Sequence, residues 1–202
     1  MNAEKRTRRD FLKIVGASTT APGLPWAAGV ANARLLNVNE RHGDMLKIAT
    51  AADFCGTRWQ VNAVMIPVPG GPSFMMPVAR VMSLYRHHTG RDAIKVENHP
   101  DALDVTASIT GSKVFLHVVN TERTRSVDAT LAVAGKKITG GRVFTLTADP
   151  IFEVFEHRPD LLEPVETPLP ANGRWTFPAA SVCAVELDVS NLKEGSQNEA
   201  KG

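Results

Sequence analysis

The chain has 202 residues and a near balance of charge, with 23 Lys and Arg against 21 Asp and Glu. No basic stripe argues for nucleic acid, and no acidic run argues for a polyelectrolyte partner. Two cysteines without a Cys-x-x-Cys spacing give no support to zinc-ribbon or thioredoxin-type chemistry.

Residues 7–13 read Thr-Arg-Arg-Asp-Phe-Leu-Lys, a nearly complete twin-arginine export signal centred on Arg8, Arg9, Phe11 and Leu12. Lys5 and Arg6 extend its positive flank. A weakly apolar stretch follows from Ile14 to Val30. Ala31-Asn32-Ala33 then supplies a small-x-small triplet, with Ala31 and Ala33 as the small residues of a signal-peptidase site. The pattern predicts a twin-arginine signal peptide over 1–33, a mature chain from Arg34, and a periplasmic or secreted location. That route carries proteins already folded. Gly16, Pro22, Gly23 and Pro25 interrupt the stretch, so no stable membrane anchor is expected. Residues 1–33 hold five of the bases and two of the acids, which leaves 18 against 19 in the rest. A remainder of this size suits one domain, or one with an appendage.

From Arg34 to Val96 the pattern is helical with interruptions. Leu35, Val38, His42 and Met45 recur at spacings of three and four, and Leu36 and Leu46 broaden the stripe. Val61, Val64 and Ile66 form a short apolar run consistent with a buried strand. It ends in the Pro/Gly cluster of residues 67–72, a loop by turn chemistry. Val78, Val81, Met82 and Tyr85 predict a second helix, with Gly90 where a C-terminal cap would fall. Helix, strand, loop and helix make a piece of an α/β architecture.

From Asp104 the period becomes two. Val105 to Ile109 alternates, Gly111-Ser112 turns, and Val114 to Val119 returns. Val127, Ala129, Leu131 and Val133 alternate with polar partners, and Gly135 turns the chain again. Arg142 to Leu146, Trp175 to Phe177 and Val182 to Leu187 complete the set. Pro150 to Asn172 reads as a long irregular excursion, and the polar residues from 189 onward as a frayed end, with a disordered tail over 191–202. The fold class expected is mainly β, an antiparallel sandwich preceded by a partial α/β helical segment. Leu116, Val118, Leu131, Val133 and Val185 are expected to face inward.

No catalytic constellation emerges. Asn39-Glu40 has the residue types of a retaining glycosidase's acid/base, but its helical run favours a solvated helix face. His87-His88 cannot chelate one ion from a regular helix, because neighbouring residues point about 100° apart. Gly70-Gly71 lacks the spacing of a phosphate loop, and Ser73 and Ser181 lack a nucleophile elbow. Trp59 and Trp175 suit core packing better than sugar stacking. Cys55 and Cys183 each sit among apolar or small residues, which favours two buried free thiols; a disulfide stays open. No cofactor and no metal are called for.

The run Met76-Pro77-Val78-Ala79-Arg80-Val81-Met82-Ser83-Leu84-Tyr85-Arg86-His87-His88-Thr89-Gly90 resembles the last barrel helix of glycoside hydrolase family 51 α-L-arabinofuranosidases. Glu40-Arg41-His42-Gly43-Asp44 and Val61-Asn62-Ala63-Val64 are similar to that family's preceding helix and final barrel strand. Val114-Phe115-Leu116-His117-Val118-Val119-Asn120 and the run Trp175 to Leu187 resemble its C-terminal sandwich. The resemblance covers nearly all of 34–190. It implies that 34–96 is a remnant of the end of a (β/α)₈ barrel and that 97–190 is the C-terminal β-sandwich. Both catalytic glutamates of the family lie on earlier barrel strands, so no catalytic residue carries over, and a truncated reading of a longer gene is expected. The function implied is an exported fragment or subunit of a glycosidase that releases terminal α-L-arabinofuranosyl groups, inactive alone. Its partners would be an arabinose-containing polysaccharide, a barrel-bearing chain, or a second copy. The competing expectation is a non-catalytic exported sandwich that binds glycan or a protein.

Overall fold

The computed structural model describes residues 25–58, 62–68, 70–154, 158 and 160–191. Helix α1 spans Trp26–Arg41 and helix α2 Pro77–His87. Between them lie three two-residue strands, β1 Cys55–Gly56, β2 Val64–Met65 and β3 Phe74–Met75. β1 and β2 run parallel, and β2 and β3 antiparallel. Strands β4 Asp92–Ile94, β5 Leu103–Thr110, β6 Lys113–Asn120, β8 Lys136–Thr147, β9 Val165–Pro168 and β11 Ser181–Asn191 form a six-stranded antiparallel sheet in the order β4-β5-β6-β11-β8-β9. β7 Val127–Thr130 and β10 Arg174–Phe177 make a separate antiparallel ribbon. The chain is mainly β, a sandwich preceded by a partial α/β segment.

Both faces of the large sheet are covered, and this explains the near-continuous burial of β11 from Ser181 to Leu187. One face carries Val119, Leu146, Val182 and Ala184 against Trp26, Val30, Ala33, Val81, Leu84 and Tyr85 of the two helices. The other carries Val105, Val118, Val143, Val185 and Leu187 against Phe177, Leu169 and the ribbon residues Val127, Ala129 and Trp175. Val118 and Val185 face inward as the alternation requires, and Leu116, Leu131 and Val133 pack partly buried on the same cluster. Gly111, at φ 59, sits in the two-residue loop between β5 and β6, where glycine takes the left-handed backbone without a side-chain penalty.

Four expectations are corrected. Most of the apolar stripe read here points outward, with Leu35 53% exposed on α1 and Met45, past its end, 81%, while Leu36 packs partly buried on the helix-side core. The buried stripe is Trp26, Gly29, Val30, Ala33 and Asn37, at the same helical spacing but set by residues that begin before the expected mature start. Gly90 is not a helix cap. A Cβ there would lie 2.7 Å from the Ile109 nitrogen, so the residue is a point of close contact between the end of α2 and β5. The excursion after Pro150 contains edge strand β9 and sends Val154 and Leu162 into the helix-side core. Residues 189–191 are not frayed, since they pair with residues 136–138 of β8 and Val189 is buried. Residues 192–202, most of the expected tail, lie outside the described residues.

No side chain caps the start of α1. Instead the Trp26 and Ala27 amides donate to the carbonyls of Phe152 (2.7 Å) and Pro150 (2.9 Å). The excursion thus satisfies amides that a helix leaves open at its N-terminus.

Candidate functional site

The register of the sheet puts polar side chains on its helix-covered face. Thr106 pairs with His117, His117 with Ala184, and Ala184 with Phe144, which makes one row across four strands. Asp104 lies two residues before Thr106 and so shares its face. α1 crosses above these positions and lowers Arg34, Asn37, Glu40 and Arg41 toward them. Spacings of three and four place these residues on one helical side.

Every member of this group has a partner. The Asn37 amide donates to the Asp104 carboxylate and carbonyl, both at 3.1 Å. Arg41 reaches the same carboxylate at 2.6 Å and Arg34 at 3.4 Å. The Thr106 hydroxyl lies 2.5 Å from the Glu40 carboxylate, to which its one proton points, and 3.2 Å from the Asn37 amide oxygen. The Tyr85 hydroxyl, with one proton to give, lies 2.7 Å from the Asn37 amide oxygen and 3.1 Å from the Ala33 carbonyl. His117 is buried, with Nδ1 3.0 Å from both Glu40 oxygens and its ring stacked on Tyr85 at 3.8 Å between centroids. Its Nε2 is buried with no partner.

The electrostatics follow from these contacts. Burial disfavours the Asp104 carboxylate, but hydrogen bonds from Arg41 and Asn37 and the charges of Arg41 and Arg34 outweigh it and hold its pKa below the usual value. Burial, followed by the Glu40 and Asp104 charges, pushes the Tyr85 hydroxyl well above the usual value. A second cluster lies beyond the end of α2. Glu186 accepts from His88 at 2.8 Å and from Arg142 at 2.6 Å, and His88 stacks on Phe144. Burial works against the Glu186 carboxylate, yet His88 and Arg142 keep its pKa lowered.

The signs give a pH prediction. Asp104 and Glu186 have lowered folded-state values, so their contribution is present above the ordinary carboxylate range, about pH 4, and is lost as pH falls through the folded values. Tyr85 and Cys183 have raised values, and burial takes the Cys183 thiol to about 11. Their contribution is present below their ordinary values and is lost as pH rises toward the folded ones. Urea midpoints measured from pH 3 to 11 should fall at both ends. Asp104→Asn should lower the plateau and flatten the acid limb; an unchanged acid limb would show that the Arg41–Asp104 contact does not couple to folding.

An open groove of about 930 Å³ borders the first cluster, lined by Glu40, Arg41 and Asp104 together with His42, Arg91 and Lys95. Of the carboxylates here, Asp104 is 14% exposed and Glu40 34%. Asp104 is held as an anion by two arginines, and Glu40 is occupied by Thr106 and His117. The arrangement joins a helix to a sheet.

The residues singled out from sequence separate widely. Arg8, Arg9, Phe11, Leu12 and Trp59 lie outside the described residues. Ala31 and Ala33 lie inside α1, and Ala33 is fully buried. Glu40 stays 34% exposed at the groove, and the helix also turns it toward Thr106 and His117. His87 is exposed and bonds the Ser83 carbonyl, whereas His88 packs into the Glu186 cluster. Ser181 donates to the Pro178 carbonyl, and Ser73 is exposed. Trp175 is partly buried against the ribbon-side core. Cys183 is buried and Cys55 exposed, both as free thiols, so the expectation of two buried thiols fails at Cys55. Among the described residues no group of His, Cys, Asp and Glu is placed to hold a metal ion. None of the described helices is long and apolar enough to cross a membrane. Sequence reasoning missed Asp104, Thr106, His117 and Asn37. The available signal was a polar residue at three alternate positions of strands otherwise rich in valine.

No protein-family model matches the chain, and no curated protein matches its sequence. Its fold does match solved structures. An α-L-arabinofuranosidase from Thermotoga maritima, in complex with arabinose, matches with a TM-score of 0.70 at 21% identity, over 81% of this chain and 38% of that one. The thermostable GH51 α-L-arabinofuranosidase from Thermotoga petrophila gives 0.71 at 21% identity, over 83% and 39%. The GH51 arabinofuranosidase from Xanthomonas axonopodis pv. citri gives 0.67 at 16% identity, over 82% and 36%. The chain spans under two fifths of the length of the Thermotoga proteins it matches, 38% and 39%. At these identities the likeness is one of fold. The chain therefore shares its fold with a part of the family 51 α-L-arabinofuranosidase structures.

Proposed function

We propose that this chain is an exported, non-catalytic unit of an α-L-arabinofuranosidase-like glycoside hydrolase. In this reading it supplies the late α/β segment and the β-sandwich, and a barrel-bearing chain supplies the chemistry. The observation that carries the reading is the fold likeness over about four fifths of the chain. The reaction of the complete enzyme would be hydrolysis of terminal α-L-arabinofuranosyl groups with retention. That requires one carboxylate to attack the anomeric carbon and a second to protonate the leaving oxygen, about 5 Å apart. Glu40 and Asp104 are committed to other partners, which supports a non-catalytic role. A barrel-bearing partner is supported by the outward apolar residues Leu35, Val38, Met45, Leu46 and Ile48 of α1 and the segment after it. A monomer seldom leaves so many large apolar groups open together. The twin arginines support export.

The test is turnover of an aryl α-L-arabinofuranoside by the purified full-length chain. The expected result is none above buffer. Robust turnover that Glu40→Gln abolishes would overturn the reading. One observation favours glycan binding as a second reading: Trp175, whose indole nitrogen has no partner, lines a groove of about 510 Å³ with Asp128, Arg174 and Thr176. Titration with an arabinan decides it. Binding that Trp175→Ala removes would move the function to the sandwich.

A further inference from the structure

We propose that the last turn of α1 and the segment behind it, residues 38–46, form a flap at the mouth of the large groove, held to the sheet by two charged side chains and released by acid while the rest of α1 stays docked.

The two parts of α1 are attached in different ways. Trp26, Val30 and Ala33 are buried against α2 and the sheet, and none of them titrates. Asn37 is fully buried, with the Tyr85 hydroxyl 2.7 Å from its side-chain oxygen. Burial, then the charges of Glu40 and Asp104, raises the Tyr85 pKa, so acid leaves this contact as it is. Beyond Asn37 the apolar attachment stops. Val38 is 42% exposed, and residues 42–46 are all exposed. The amides of His42, Gly43, Met45 and Leu46 bond carbonyls of Asn39, Glu40 and His42, which belong to the flap itself. Among the described residues, two side chains tie the flap to the sheet. Glu40 lies 2.5 Å from Thr106 and 3.0 Å from His117. Arg41 lies 2.6 Å from Asp104 and 3.4 Å from the Val105 carbonyl. Asn37 is therefore the hinge, with an apolar anchor on one side of it and a polar latch on the other.

The charges around the latch all change in one direction when pH falls. Arg34 shares the Asp104 carboxylate with Arg41, at 3.4 Å. On the sheet, Glu40 faces His117, whose ring stacks on Tyr85 of α2. Arg91 and Lys95, on either side of β4, line the same groove, with His99 and Asp101 after them and His42 on the flap. At neutral pH the carboxylates of Glu40, Asp101 and Asp104 balance most of the four Lys and Arg charges of the groove. Acid discharges carboxylates and charges imidazoles. The guanidinium groups of the flap and groove are then left facing one another and three histidines, and attraction turns to repulsion. Burial works against the Asp104 charge, yet the bonds from Arg41 and Asn37 and the guanidinium charges lower its pKa. Its hold is thus present above the ordinary carboxylate range and is lost as pH falls through the folded value. No buried apolar group of the flap replaces it, and such segments open at the low end of a protein's local stabilities. Release widens the groove and bares Thr106 and His117, which are buried beneath the latch.

Hydrogen exchange of the full chain, read by mass spectrometry from pH 7 to pH 3 and corrected for the intrinsic pH dependence of exchange, tests the proposal. Amides of residues 38–42 should lose protection about tenfold or more in acid, while those of 28–36 and of β6 keep theirs. Loss across α1 and β6 at one pH overturns the proposal, as does constant protection of residues 38–42 over the whole range. Glu40→Gln combined with Asp104→Asn removes both carboxylate charges at pH 7. This variant should show the open flap already at neutral pH, with β6 protected as before and little further change in acid. A variant that is unfolded at pH 7 by circular dichroism would show that α1 has no separable flap, and one whose residues 38–42 stay as protected as in the unaltered chain would show that charge does not hold it; either result overturns the proposal.

Discussion

Trp26→Ala should cost about 3–5 kcal/mol of folding stability, the range for deleting a fully buried large aromatic side chain. Three losses combine. The indole leaves a cavity between α1, α2 and the sheet. The Ala180 carbonyl loses its donor at 2.5 Å. Gly29, no longer covered, gains backbone freedom in mid-helix. A domain of this size has about 5–15 kcal/mol in total, so the variant should unfold at much lower urea or populate the unfolded state outright. Leu35→Ala is the control, because Leu35 lies on the same helix at 53% exposure and should change stability by less than about 0.5 kcal/mol. Equal urea midpoints for the two variants would mean that the buried face of α1 has been assigned to the wrong side.

Asn120→Ala should cost about 3 kcal/mol, an effect of satisfaction more than of volume. Asn120 is fully buried at the end of β6. Its two amide N–H groups are shared among the carbonyls of Arg125 (3.0 Å), Phe177 (3.1 Å) and Pro178 (2.8 Å), and its oxygen accepts from the Glu122 amide (3.0 Å). Alanine strands these groups. Asn120→Asp keeps the shape but sets a carboxylate against three carbonyls, so it should be the more damaging substitution. If aspartate proves milder than alanine in urea unfolding, packing outweighs hydrogen bonding there. Trp26 and Asn120 both bond the turn at residues 177–180, Trp26 at Ala180, whose φ is 44, and Asn120 at Phe177 and Pro178. The double variant should therefore depart from additivity, as neighbours that share a strained element do.

The β part of the chain was legible because several strands carry a period of two and several turns carry a glycine, whereas β9 carries no such pattern and reads as irregular. Lys113–Asn120 and Ser181–Asn191 emerge within a few residues of their expected limits. α1 was misread for a physical reason. Its inward face is Trp26, Gly29, Val30, Ala33 and Asn37, which hold little hydrophobic weight apart from the tryptophan, while Leu35, Val38 and Met45 look outward. A hydropathy stripe marks a face that avoids water, and it does not say what covers that face. The polar contacts of Asp104, Thr106 and His117 were illegible because their meaning depends on α1, 63 to 77 residues away in the chain. Cys55 shows the same limit, since apolar sequence neighbours do not determine exposure.

The row of Asp104, Thr106 and His117 has a consequence for how β5 and β6 find each other. A slip of one residue would turn every valine of a strand to the wrong face, and hydrophobic patterning forbids it. A slip of two residues keeps each side chain on its own face, so apolar burial barely distinguishes it from the native pairing. The groups lowered from α1 do distinguish it. Asn37, Glu40 and Arg41 meet a carboxylate, a hydroxyl and an imidazole only when Thr106 stands opposite His117. In a shifted pairing Glu40 would lose either Thr106 of β5 or His117 of β6, the two groups it bridges. The helix thus works as a key that fits one alignment of the sheet, and it widens the gap between the native state and its nearest competitors.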